Sequence, residues 1–141
     1  MSIPGPAAPV APSQQAQSFL AFDFGALRVG VAVGNRLLQQ GQPLRTVAAV
    51  GDARMRAIGD LIDTWQPDAL VVGVPFHPDG AAHDNTRRAR RFARQLLGRF
   101  RLPVHEVDER YTTTEALAAG ARDADAAAAA LILEQFFRQG A

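Results

Sequence analysis

Cysteine is absent from the 141 residues, which removes disulfides, thiolate metal sites and cysteine nucleophiles together. That absence fits a reducing, cytoplasmic setting. Lysine is absent as well: all 15 basic residues are arginine. No apolar run approaches the roughly 20 residues a membrane-crossing helix needs, so neither a membrane span nor a membrane partner is expected. Acids are scarce early in the chain. Asp23 is the only Asp or Glu before Asp52, and none occurs between Asp84 and Glu106. Residues 1–17, rich in Pro, Ala, Ser and Gln, lack the basic and apolar blocks of a targeting peptide and read as a disordered tail. The remainder, 18–141, is the length of one domain with a full core.

The most informative stretch is Phe19 to Gly25, continued by Arg28 to Gly34. An apolar run of strand length holds one carboxylate and ends in glycine, and a second apolar run follows almost at once. This reads as two strands joined by a tight turn, with Gly25 supplying any positive φ the turn needs. A carboxylate in an apolar strand is costly to bury without a cation, backbone amides or a metal beside it. Asp23 therefore stands out.

Further on, Pro43 to Val50 suits an edge-like third strand. Met55, Ile58, Leu61 and Ile62 recur at helical spacing until Pro67. Ala69 to Val74 is a short apolar run, as in a parallel strand covered on both faces. Asp84 opens a helix whose Ala89, Phe92, Ala93, Leu96 and Leu97 form one stripe. Pro103 to Val107 reads as a strand leading into Asp108, Glu109 and Arg110. Thr112 and Glu115 form a capping box for a helix ending near Gly120, and Asp123 or Asp125 begins a last one. The order β-β-β-α-β-α-β-α-α implies an α/β domain, ribonuclease-H-like, with a five-stranded mixed sheet and helices on both faces.

Such a sheet gathers acids at the ends of its strands: Asp23, Asp108, Glu109 and, at the start of the last helix, Asp125. Open α/β sheets place ligands at that edge. Gathered carboxylates need neutralising, and Mg²⁺ or Mn²⁺ suits all-oxygen ligands. Two such ions about 4 Å apart can activate water and stabilise the leaving oxygen of a phosphodiester. Simpler roles stay open from spacing alone. Asp125 can be a helix N-cap, and Asp108 and Glu109 can form surface ion pairs with Arg110. Seven arginines lie between Arg87 and Arg101. They can be a solvated face or a surface that tracks a phosphate backbone, for which guanidinium forks are well suited. The binding set expected is Arg87, Arg88, Arg91 and Arg94, with Arg28 and Arg110 beside the acids.

The sequence resembles the YqgF (RuvX) family. The motifs that carry the likeness are Asp23-Phe24-Gly25 with Arg28 to Val33, Gly73-x-Pro75 with Asp79-Gly80, Asp108-Glu109-Arg110 with Thr113 and Glu115, and Asp125 before Leu131-Ile132-Leu133. They span the chain from about Ser18 to its end. The resemblance implies a ribonuclease-H-like, metal-dependent nuclease. Members of that family are described as Holliday-junction resolvases and as nucleases maturing the 5′ end of pre-16S ribosomal RNA, on pre-ribosomal particles. Carried over by position, the implied catalytic acids are Asp23, Glu109 (with Asp108 adjacent as a further metal ligand) and Asp125. Two departures stand out: Ala26 and Leu27 follow Gly25 where relatives have polar residues, and the connection from Gly120 to Asp123 is short.

The expected function is thus metal-dependent endonucleolytic cleavage of structured RNA. Alternatives are a resolvase of branched DNA, or a non-catalytic RNA-binding assembly factor that keeps the fold. An actin-like phosphotransferase would need a second domain and a far longer chain. Backbone-reading arginines do not specify bases, so residue types alone do not choose among nucleic-acid substrates.

Overall fold

The computed structural model describes residues 16–111, Ala118 and 120–140. Its elements are β1 (Ser18–Phe24), β2 (Val29–Asn35), β3 (Gln40–Val47), α1 (Gly51–Trp65), β4 (Ala69–Val74), α2 (Asp84–Phe100), β5 (Val104–Asp108), a 3₁₀ turn (Glu109–Tyr111) and α3 (Ala124–Arg138). The expected helix beginning at Thr112 falls largely outside the described residues. The sheet order is β3-β2-β1-β4-β5. β1, β2 and β3 pair antiparallel, whereas β1, β4 and β5 run parallel. The five-stranded mixed sheet with helices on both faces is as the element order implied.

Alternation along β1 divides the core into two layers. Leu20 and Phe22 face α1 and α2, where Ile58, Phe92 and Leu96 are buried with them. Phe19 and Ala21 face α3, packing on Ile132, Leu133, Phe136 and Phe137. Edge-to-face aromatic contacts support both layers, with Phe19 and Phe136 at 5.2 Å and Phe22 and Phe92 at 5.9 Å. Each such pair contributes about 1 kcal/mol beyond its buried area. By the same alternation Asp23 belongs to the α3 side, where it lies at the end of an otherwise apolar row.

Several boundaries differ from the sequence reading. Packing begins by Ala16, which is buried, and the Gln17 and Ser18 amides donate to the Asp68 carboxylate at 2.9 and 3.0 Å. β3 begins three residues before Pro43, because Asn35 caps the hairpin turn by accepting from the Leu38 amide. A register shift opposite Val31 and Ala32 accommodates the proline, which has no N–H for the ladder. Gly25 does not take a positive φ. It is needed for space instead, since a Cβ there would lie 2.5 Å from the Arg28 carbonyl oxygen. α2 does open at Asp84 as expected, with His83 before it as the N-cap: its Nδ1 accepts from the Asn85 amide at 3.1 Å, and its own amide donates to Thr86 Oγ1.

His105 on β5 stacks against Phe136 at 5.1 Å, and its buried Nε2 has no hydrogen-bond partner among the described residues. Burial first, and the positive charge of Arg36 second, hold its pKa below the ordinary histidine value. The folded chain therefore takes up this proton less readily than the unfolded chain. The stability from neutral His105 is present above the unfolded value of about 6.5 and is lost as pH falls through it toward the lower folded value. The melting temperature should fall between about pH 7.5 and 5, and His105→Phe should flatten that fall. An equal slope in the variant over this window would contradict the assignment.

Candidate active site

At the C-terminal ends of β1, β4 and β5 lies a cleft of about 390 Å³ whose walls include Asp23, Glu109, Asp125, Arg28, Pro75 and Asn85. Three of the four acids expected at a site therefore share one cavity. Glycines explain how. Asp23 pairs with Gly30 on β2 and with Gly73 on β4, so a glycine flanks it on either side across the sheet. A Cβ on Gly30 would lie 1.9 Å from the Asp125 carbonyl oxygen. The missing side chain therefore lets the start of α3 rest on the sheet beside Asp23. A Cβ on Gly73 would lie 2.9 Å from Glu109 Oε1 and 2.5 Å from Ile132 Cδ1, so that gap receives the Glu109 carboxylate. A lone glycine inside a strand pattern is the sequence signal for such close approach.

The N-cap of α3 is Asp123, not Asp125. Its Oδ1 accepts from the Ala126 amide at 3.1 Å and from the Thr46 hydroxyl at 2.6 Å. Burial alone would raise the Asp123 pKa, but bonds from Thr46, Ala126 and the Asp125 amide hold it below the ordinary carboxylate value. Asp125 sits in the first helical turn, where the helix dipole favours negative charge. Its Oδ2 meets Arg28 Nε at 3.2 Å, with Arg28 65% and Asp125 34% exposed. So exposed a pair contributes at most about 1 kcal/mol and is readily exchanged for a ligand.

Asp108, expected among the metal ligands, does not line the cleft. Val107 packs on the α3 side and Asp108 is turned to the other face, where Arg110 grips both its oxygens at 2.7 to 3.2 Å. The bond from Arg110 holds its pKa below the usual range. Arg110 also lies over the Phe76 ring, as does Arg90, at 5.6 and 5.1 Å to the ring centroid. Glu109, one residue later, is the acid that lines the cleft with Asp23. On α2, Arg87 pairs with Asp84. Arg88, Arg91 and Arg94 are exposed and make no ion pair among the described residues. Asn85 joins the cleft to this arginine-lined helix, a role its residue type did not suggest.

A family profile described as RuvX, Holliday junction resolvase, matches residues 17–139. The chain belongs to the RuvX family. RuvX-family relatives carrying the name "Putative pre-16S rRNA nuclease" include one from Albidiferax ferrireducens, 70% identical over 92% of this chain and 83% of its own length. Another, from Polaromonas sp., is 67% identical over 86% of this chain and 88% of its own. A third, from Paraburkholderia phytofirmans, is 52% identical over 89% and 90%. Among solved structures, Thermus thermophilus RuvC in complex with a Holliday junction substrate superposes with a TM-score of 0.52 at 18% identity, over 88% of this chain and 96% of that one. That likeness shows the ribonuclease-H-like fold.

Donor chemistry decides which metal the cleft suits. Asp23, Glu109 and Asp125 offer only oxygen, which fits a hard divalent cation. Among the described residues no three acids or histidines close around a single point, and Arg28 holds Asp125 from the side. The carboxylates thus stand on the cleft walls as donors to be drawn in.

If Gly30 sets the site, Gly30→Ala must lift α3 from the sheet. It should cost about 3 kcal/mol, the upper end of overpacking, and lower the melting temperature by roughly 10 °C. A variant melting within about 2 °C of the parent would show that the close approach is not a constraint.

Proposed function

We propose that this chain is a metal-dependent endonuclease that hydrolyses phosphodiester bonds in structured RNA, acting in 5′-end maturation of pre-16S rRNA in the cytoplasm. The observation that carries this reading is the shared cleft of Asp23, Glu109 and Asp125 at the strand ends. The name that the RuvX relatives carry, pre-16S rRNA nuclease, supports the RNA substrate. Asp23, Glu109 and Asp125 would hold Mg²⁺ or Mn²⁺, which when bound supplies a Lewis acid and an activated water. Asp23 is fixed by the strand ladder on both sides, so it is the least movable donor. Asp125 is released from capping by Asp123 and is free to exchange Arg28 for another cation. Arg28, once exchanged, faces the cleft mouth as a phosphate contact. Exposed Arg88, Arg91 and Arg94, with Arg87 and Arg110, continue a cationic surface suited to a nucleic-acid backbone. No helix among the described residues is long and apolar enough to cross a membrane.

The second reading is resolution of four-way DNA junctions, which the family's own description favours. Cleavage by purified protein of a precursor 16S 5′ leader, a four-way junction and plain single strands separates the two. Preferential cutting of the leader is expected. Preferential, paired cutting of the junction would replace it, and pre-ribosomal particles would then drop out as partners.

Asp23→Asn keeps the shape of the residue and removes the charge. It should abolish metal-dependent cleavage, at least about a thousandfold by analogy with loss of a principal catalytic group, while leaving the fold intact. Cleavage by the variant at the parental rate would overturn Asp23 as a metal-holding catalytic residue, whereas no metal-dependent cleavage by the parent itself would leave a nucleic-acid-binding factor.

Joint replacement of Arg87, Arg91 and Arg94 should weaken binding. Each lost phosphate contact should lower the slope of log affinity against log salt by about 0.7 to 0.9. An unchanged slope would assign this stripe to solvent.

A further inference from the structure

The geometry points to Arg54, on α1 and outside the cleft, as the positioning residue that holds the β1–β2 turn in its working shape. Although charged, Arg54 is 7% exposed. Its guanidinium serves three backbone carbonyls: Nε donates to Ala49 at 2.8 Å, and one Nη donates to Gly25 at 3.0 Å and Ala26 at 3.1 Å. The same group lies over the Phe24 ring at 5.5 Å. No carboxylate pairs with it among the described residues. A buried cation whose hydrogen bonds all go to backbone oxygens is a strap between segments far apart in sequence.

What it straps is the cleft wall. Gly25 and Ala26 line the cavity that holds Asp23, and the turn leads directly into Arg28, the partner of Asp125. Leu27 at the turn tip is 76% exposed, and the one other side-chain tether of the turn among the described residues is the exposed Arg28–Asp125 pair. Arg54 is the buried tether of the turn. A planar fork reaches two directions at once, whereas a lysine ammonium on a flexible stem cannot serve Ala49 and the turn together. Helix α1 is in this way tied to the chemistry without contributing a side chain to the cleft.

The role in catalysis rests on the nuclease reading, and the strap itself does not. Two readouts separate them. In Arg54→Lys, amide hydrogen exchange at the turn-side end of the β1–β2 ladder, residues 24 and 29–31, should quicken about tenfold or more while β4 and α2 amides keep their rates. In Arg54→Ala, millimolar guanidinium should slow that exchange again, whereas sodium chloride at equal ionic strength should not. Unchanged exchange at 24 and 29–31, or an equal rise throughout the core, would overturn the strap. For cleavage, Arg54→Lys should lower kcat about tenfold and move KM less than about threefold, because α2 rather than the turn carries most backbone contacts. If the parent protein cleaves and Arg54→Lys cleaves equally fast, the positioning role is wrong. If the parent cleaves none of the nucleic acids, the nuclease reading fails, and the exchange measurement still decides the strap.

Discussion

The close approach of α3 to the sheet at Gly30 is the constraint on which the site depends. Backbone of the helix sits where a side chain of β2 would otherwise stand, and Asp125 arrives beside Asp23 for that reason. Gly41 on β3 repeats the arrangement under Ala130, and Ala126, Ala129 and Ala130 keep the buried helix face small. A helix lying this low leaves no room for larger residues on either surface. It also sets the height of the helix start above the sheet. On the other flank of Asp23, Gly73 leaves a gap that admits Glu109. A row of glycine, aspartate and glycine across three strands thus turns an apolar sheet face into an acidic one at a single end.

Charge is then sorted around that end. Asp123 carries the capping duty, so Asp125 is left to face Arg28. Asp108 is occupied by Arg110 on the opposite face, and Glu106 by Arg90, which keeps both acids out of the cleft. The arginines of α2 that lack acidic partners lie on its exposed side. Acids gather in one cleft, and arginines unpaired among the described residues line one exposed helix face nearby; on the proposed reading these are the cutting site and the surface a polyanion lies on.

Much of this fold was legible because its signals are local and repeated. The apolar run of β4 matched its strand to the residue, and the stripe on α2 marked its buried face at Ala89, Phe92, Ala93 and Leu96 but not at Leu97, which is half exposed. Asp23 was legible as an exception, a carboxylate where the pattern called for an apolar side chain. The remainder was hidden for identifiable reasons. Asp123 and Asp125 lie within one turn, so spacing could not say which of them caps. The choice between Asp108 and Glu109 depends on the residue at which β5 ends, since a strand alternates faces at every step. His83 as a cap and Arg54 as a strap both defy residue type, the first for its rarity in that role and the second because an arginine on an amphipathic helix reads as solvated. Gly30 and Gly73 look like ordinary weak points in strands until the neighbour that needs the space is known.

The central claim is that Asp23, Glu109 and Asp125 form one cation site at the strand ends. Its most direct test is titration of the protein with Mn²⁺ while following paramagnetic broadening of backbone amides. Broadening centred on residues 23, 30, 73, 109 and 125 is expected at the lowest metal concentrations, with Asp108 and the acids of α1 affected only later. Broadening centred instead on Asp52, Asp60 and Asp63, or spread evenly over all exposed acids, would contradict it.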